Sequence, residues 1–290
     1  MSQLTLTEAK QKYEESLRVS GKANATIIAY AKDIEQLVDF LAGRDKHTPQ
    51  EATSNDIEDF KELLKTQRYT TKSISRKVNS IKSFFRFMVD AGVLPSNPAK
   101  SVEQPKYEQL PPKVLTKTEY RALRDACRGD IRMTAIVELL LQTGMRISEL
   151  ANLKLEDLDL DKNVISINTV DTGVSRKVPM NEMAKRALVE YLKTRPRARE
   201  NTVFLTKTCK PFLIRNIRNS IDRYFRLAGL KDVKVNDLRH TFIVEQLRAG
   251  VPLIYVSQLV GHKRITTTEK YLQFVKSEDA STTEIKIETL

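Results

Sequence analysis

Four short stretches of this chain concentrate side chains able to do chemistry: Thr143-Gly144-Met145-Arg146-Ile147-Ser148-Glu149-Leu150, Asn236-Asp237-Leu238-Arg239-His240, Leu259-Val260-Gly261-His262 and Thr267-Thr268-Glu269-Lys270-Tyr271. They include two arginines, whose planar forks stay charged and grip phosphate oxygens in pairs. They also include a histidine after a glycine and a tyrosine whose hydroxyl can serve as a nucleophile. Each stretch alone has a purely structural explanation as well. Arg146 and Glu149 are spaced as a local helix ion pair. Asn236 is a common cap type, His262 could close the helix before Gly261, and Tyr271 could be a core aromatic. The commoner machineries are missing. There is no Gly-rich phosphate loop, no His-Glu-x-x-His pair and no Gly-x-Ser-x-Gly elbow. With only His47, His240 and His262 present, no metal site and no cofactor are expected.

The elements that must position these residues can be read from the pattern. The chain has 290 residues, enough for one large domain or two ordinary ones. Its charge is 49 − 37 = +12, with 40% apolar residues to build a core. No stretch approaches 18 uninterrupted apolar residues and no signal segment is evident, so a soluble cytoplasmic protein is expected, with no membrane contact. Two cysteines are too few for a disulfide framework. The Pro-rich stretch from Pro95 to Pro112 reads as an interdomain linker. It separates a first domain, 1–105 with linker to about 112, from a second, 113–290. The first carries 16 − 14 = +2 and the remainder 33 − 23 = +10. That surplus permits a polyanionic partner.

In the first part, Ile27, Ala31, Ile34, Val38 and Leu41 form one helical stripe, and Ile74, Val78, Ile81, Phe85 and Met88 another. Ile57, Phe60 and Leu64 mark a shorter helix entered through Ser54 or Asn55, and Leu6 to Leu17 a fourth. Four such helices make a small bundle. The Ile74 helix has a second, cationic face of Lys72, Arg76, Lys77, Lys82 and Arg86. Such a face could lie on nucleic acid or simply be solvated.

The second part is mixed but mostly helical. Met133 to Leu141 predicts a buried helix ending at Gly144, with a new helix near Arg146. Val164-Ile165-x-Ile167, Asp171-Thr172-Gly173 and Val174 to Pro179 predict an antiparallel β-hairpin turning near Gly173. Helices follow at 183–192 and 213–227, the latter carrying Arg215 and Arg218. Another runs from Val235 to Gly250, and Pro252 opens the next, which stops at Gly261. Thr266 to Glu269 fits a capping box, placing Tyr271 in the first turns of a last helix. The tail from about Ser281 to Leu290 alternates apolar and charged residues, like a strand or an arm.

Taken together and in order, the four stretches resemble the tyrosine recombinases, the phage-integrase and Xer-like family. In that family a Thr-Gly-x-Arg-x-x-Glu-Leu segment and a His-x-x-Arg segment each supply a catalytic arginine. A Leu-Gly-His segment supplies a histidine, and a tyrosine nine residues later is the nucleophile. Here these positions hold Arg146, Arg239, His262 and Tyr271, and 271 − 262 = 9. The resemblance spans nearly the whole chain, including Asn97-Pro98-Ala99 before the linker. It implies a mainly α protein: an N-terminal four-helix core-binding (SAM-like) domain, then a mostly helical catalytic domain with a small antiparallel sheet.

The resemblance also implies the chemistry. Tyr271 attacks a scissile phosphate to leave a 3′-phosphotyrosine, and Arg146 and Arg239 hold the phosphorane without metal or ATP. His262 hydrogen-bonds the phosphate, and Glu149 orients Arg146 or its neighbours. Double-stranded DNA with inverted-repeat core sites is the implied partner, bound by dimers that pair into a tetrameric synapse and pass through a Holliday junction. The implied role is resolving dimers or cointegrates, as in a transposon-borne resolvase of the TnpI type, and the tail would dock on a neighbouring protomer.

Two positions depart from the family. Asp171 falls where a lysine usually protonates the leaving oxygen, and Lys177 across the hairpin is a possible substitute. Asn236 replaces the first histidine; it can donate a hydrogen bond but cannot act as an acid or base near neutral pH. A DNA-binding architectural or regulatory relative with impaired catalysis is the alternative reading.

Overall fold

The computed structural model describes residues 4–108, 111–169 and 174–276. The hairpin turn with Asp171 and Gly173, and the tail from Ser281 to Leu290, lie outside the described residues. The chain divides into two compact units, 1–110 and 111–290.

The first unit is a helical bundle of α1 (Leu6–Val19), α2 (Asn24–Ala42), α3 (Ser54–Thr66) and α4 (Thr71–Asp90). Threonines start three of the four. Thr5 forms a reciprocal capping box with Glu8, Thr53 forms one with Asp56, and the Thr70 hydroxyl accepts from the Ser73 amide. The cap of α3 is therefore Thr53, just before the expected Ser54 or Asn55. The expected stripes meet in one core, where Ile34, Leu37, Ile81, Phe84, Phe85 and Met88 are all fully buried. Truncating one of these, such as Ile81→Ala, is expected to cost about 2–5 kcal/mol.

The cationic face of α4 is narrower than its sequence suggests. Lys77 is only 3% exposed. Its ammonium donates to Asp33 of α2 at 2.9 Å, where Arg76 and the Ser80 hydroxyl also converge. A buried carboxylate must be paired, and these two cations pair it. Lys77 is thus a structural residue rather than part of an outward DNA-binding face, and Arg76 is committed to the same carboxylate. Lys72 and Arg86 are exposed and Lys82 is half-buried.

The second unit contains α5 (Lys117–Cys127), α6 (Ile131–Thr143), α7 (Ile147–Ala151), α8 (Glu182–Thr194), α9 (Ile214–Leu227), α10 (Val235–Arg248), α11 (Leu253–Val260) and the one-turn helices α12 (Thr266–Glu269) and α13 (Gln273–Lys276). It also contains β1 (Leu158–Asp159), β2 (Val164–Thr169) and β3 (Val174–Pro179), paired antiparallel in the order β1-β2-β3. Nine residues of α6 are buried, so this helix is sheathed by its neighbours on most sides. Its main core runs through Ile136, Leu140, Leu150, Ile165, Val178, Leu188, Ile217 and Leu238. A smaller core joins α10 and α11 to Tyr271 through Phe242, Ile243, Leu247, Val256 and Val260. Helix α5 was not anticipated, although Thr116-x-x-Glu119 is the capping-box pattern that starts it; the two-residue strand β1 is too short for an alternation to show.

Candidate active site

Arg146 stands at the N-cap position of α7, where the chain leaves the buried α6 through Gly144. Gly144 has φ +61°, and a Cβ there would sit 2.3 Å from the Phe242 ring, so only glycine fits this turn. The Arg146 amide and Nη1 both donate to Glu149, at 2.7 and 2.9 Å. The local ion pair is therefore present, but the guanidinium also reaches across the fold. Nη2 donates to the Gly261 carbonyl at 3.1 Å, and Nη1 approaches the Val260 carbonyl at 3.5 Å.

Arg239, on the first turns of α10, meets it from the other side. Its Nη1 donates to the Gly144 carbonyl at 2.5 Å and its Nη2 to the Val260 carbonyl at 2.6 Å. It is 5% exposed, and among the described residues no carboxylate pairs with it. Burial, reinforced by the Arg146 cation, pulls its pKa down to about 9. A guanidinium held this way is short of an anion.

His262 follows Gly261, the left-handed residue that ends α11. Its amide donates to the Ser257 carbonyl at 3.0 Å, closing that helix, and its Nδ1 lies 2.8 Å from the Thr268 hydroxyl. With the Thr268 hydroxyl as donor, the imidazole hydrogen sits on Nε2 and is available to an oxygen ligand. Burial, with Arg239 and Arg146 nearby, pushes the His262 pKa down to about 4, so it is neutral at pH 7. Its ring lies nearly parallel to that of Tyr271, centroids 6.4 Å apart.

Tyr271 is 6% exposed and sits between α12 and α13 rather than inside a helix. The expected capping box does not form: Ile265 occupies the N-cap position without a side-chain bond. Thr268 is instead turned toward His262. The phenol oxygen lies 2.6 Å from Nδ1 of His240, whose Nε2 is 2.8 Å from Nδ2 of Asn236, one turn earlier on α10. Burial raises the pKa of Tyr271 and, acting on a basic group, lowers that of His240.

Arg176 on β3 was not anticipated. It forms a two-pronged ion pair with Glu149, at 2.9 and 2.7 Å, and its Nε donates to the Leu259 carbonyl at 2.7 Å. Glu149 therefore bridges Arg146 and Arg176. Burial opposes ionisation of this carboxyl, but the bonds from Arg176 and the Arg146 amide outweigh it and hold the pKa below its usual value. The immediate cluster carries Arg146, Arg176 and Arg239 against Glu149, a net of 3 − 1 = +2. One signal could have revealed Arg176: it pairs with Ile167 on the strand face that also buries Ile165 and Val178, a charge in an otherwise apolar alternation.

The same alternation removes Lys177. It is exposed and lies on the opposite pleat from Arg176, paired with Ser166. The expectation that it substitutes as the acid is not supported by this placement. Arg215 and Arg218 are exposed on α9, and Arg218 shares a cleft with Asn236 and Arg239.

This geometry can be set beside known proteins. The Phage integrase family model matches residues 113–278, and the Phage integrase N-terminal SAM-like domain matches 10–93. The chain belongs to the tyrosine recombinases of the phage integrase family. It is 33% identical over 258 residues to a tyrosine recombinase XerC of Roseiflexus sp. (strain RS-1), covering 85% of this chain and 82% of that protein. A tyrosine recombinase XerD of Bifidobacterium longum is 29% identical, over 87% of each chain. Among solved structures, XerA recombinase is 28% identical with a TM-score of 0.54, covering 96% of this chain and 99% of that one. The Tn1549 transposon integrase in complex with transposon right end DNA shares the fold, with a TM-score of 0.75 at 21% identity over 94% and 99% of the two chains. This tyrosine recombinase thus has the mainly helical architecture with a small antiparallel sheet that its sequence implies.

Proposed function

We propose that this recombinase cuts and rejoins DNA at specific sites, with Tyr271 as nucleophile and Arg146, Arg239 and His262 as the phosphate-binding set. One observation carries the assignment of roles: both guanidiniums converge on the Val260–Gly261–His262 turn, whose histidine ring stacks on Tyr271. Tyr271 attacks the scissile phosphorus, a 3′-phosphotyrosine forms, and the 5′-oxygen leaves. The bond energy is kept in the new ester, so the reverse attack reseals without ATP. The two arginines hold the charge that builds on the equatorial oxygens, and His262 donates from Nε2. Arg239 then gains the anion it lacks in the free protein.

Residues 1–105 form the core-binding domain and 113–290 the catalytic domain, acting on DNA in the cytoplasm. The solved relatives include a lambda integrase tetramer bound to a Holliday junction, which supports dimers on inverted-repeat sites pairing into a tetramer here. No observation favours the catalytically impaired alternative. Resolving dimers or cointegrates is the role that the resemblance to the Xer-like recombinases implies.

The test is covalent capture. Wild-type protein is incubated with a random-sequence library of duplexes, each nicked beside the candidate cleavage point. Adducts that survive denaturant, and vanish with Tyr271→Phe, support the reading. Sequence-specific binding with no adduct at any protein concentration would favour a binding protein instead.

A further inference from the structure

Nucleophilic attack by a phenol requires something to take its proton, and the residues already placed do not provide it. Asn236 has no basic nitrogen. His262 has its Nδ1 engaged by Thr268, and both arginines are cations. The atom that meets the phenol oxygen is Nδ1 of His240, at 2.6 Å. His240 lies four residues after Asn236 on α10, one helical turn on, and its other nitrogen contacts the Asn236 amide at 2.8 Å.

We propose that His240 is the general base for Tyr271, with Asn236 as the positioning residue that sets its tautomer; the proposal rests on the recombinase reading above. A neutral imidazole carries one hydrogen, so its two neighbours decide which nitrogen is bare. When the Asn236 amide presents Nδ2 to Nε2, the hydrogen sits on Nδ1 and points at the phenol, which is then held as an acceptor. A half-turn of the amide presents Oδ1 instead. Nε2 then carries the hydrogen, and Nδ1 is bare and accepts from the Tyr271 hydroxyl. Asn236 is exposed, so its amide is free to make that turn. This is the logic by which an asparagine orients a catalytic histidine toward its nucleophile in other enzymes. It also explains how a chain with Asn236 in place of a histidine can retain a proton acceptor.

The step balances. The Tyr271 O–H bond breaks and its proton passes to Nδ1, while the Oη–P bond forms. The P–O5′ bond breaks, and the released 5′-oxygen takes a proton from bulk water. The imidazolium is steadied by Oδ1 of Asn236. In the reverse direction the 5′-hydroxyl gives up its proton to water, and His240 returns its own to the phenol. Burial keeps His240 from protonating early by lowering its pKa, with Asp237 opposing and Arg239 assisting.

The experiment measures single-turnover adduct formation on a nicked duplex recovered by covalent capture on the wild-type protein. His240→Ala is expected to slow it by about 10²–10⁴-fold at unchanged DNA affinity. Because His240→Ala could also let the phenol drift, a second variant carries trifluorotyrosine at position 271. That acidic phenol needs no base, so it should restore most of the rate in the His240→Ala background and change wild type little. Asn236→Ala removes the Oδ1 that favours the imidazolium. It should move the acid limb of the pH–rate profile to lower pH, His240 being faced by Asp237, Arg239, His262 and Tyr271.

A His240→Ala rate within threefold of wild type would overturn the proposal. So would a slow variant that trifluorotyrosine fails to rescue, since His240 would then be only a prop. Absence of any wild-type adduct would instead remove the recombinase reading and this proposal with it.

Discussion

Arg146 and Arg239 reach from separate helices to the carbonyl of a single residue, Val260, at 3.5 and 2.6 Å. Two like charges on one backbone group are costly unless an anion comes between them, and a DNA phosphate is the anion the site lacks. Arg239→Met is therefore expected to remove adduct formation, by at least about 10²-fold, while leaving thermal stability at or above wild type. Calorimetry alongside the capture assay checks both halves. Arg239→Lys should not restore the activity, because a point charge cannot replace the fork.

Glu149 holds two arginines at once, so its loss should be felt in the fold as well as the chemistry. Glu149→Gln leaves the Arg146 and Arg176 guanidiniums without their shared carboxylate, and a cost of about 3–5 kcal/mol is expected from removing one partner of a buried pair. Urea unfolding measures it. The folded pKa of Glu149 is lowered below its ordinary value of 4.5, so its contribution is complete above 4.5 and is lost as pH falls through the folded value. Glu149→Gln should accordingly show a shallower loss of stability over that acid range than wild type.

Gly261 has φ +67°, and a Cβ on it would lie 2.9 Å from Nη1 of Arg176. Gly261→Ala should destabilise by about 1–3 kcal/mol and slow adduct formation, because the displaced carbonyl is the one that accepts from Arg146. The melting temperature and the single-turnover rate are the two readings.

The basic residues divide by placement. Lys77→Ala should destabilise the first unit, because it strips a cation from buried Asp33, and should leave the salt dependence of DNA binding unchanged once the protein is folded. Lys72→Ala, Arg86→Ala and Arg218→Ala should fold normally and weaken binding. Where each contacts a phosphate, the slope of log affinity against log salt should fall by about 0.9. Titrations at several salt concentrations separate the two groups. Lys177→Ala, on the far pleat of β3, should leave cleavage within a few-fold of wild type.

Much of this protein can be read in its sequence where one residue type answers one local demand. The stripes from Ile27 and Ile74 became α2 and α4, and Gly144 and Gly261 end helices in the left-handed conformation. The resemblance to the tyrosine recombinases implies which stretches belong together, and the fold brings Arg146, Arg239 and Tyr271 to the turn that carries His262. The failures came where tertiary partners decide. Lys77 falls in a basic run, yet the buried carboxylate of Asp33 turns it inward. Thr266 and Glu269 fit a capping box, yet Ile265 takes the cap position without a side-chain bond. Arg176 lies outside the four stretches, and His240, though inside one, is given no role by the resemblance; only the fold brings them to Glu149 and Tyr271.

The central claim is that the Tyr271 phenol becomes ester-linked to DNA. Wild-type adduct can be digested with nuclease and protease and its peptides sequenced by mass spectrometry. The account predicts a residual 3′-nucleotide mass on the phenol of Tyr271 and on no other side chain. A nucleotide found on a different residue, with Tyr271 unmodified, would contradict it.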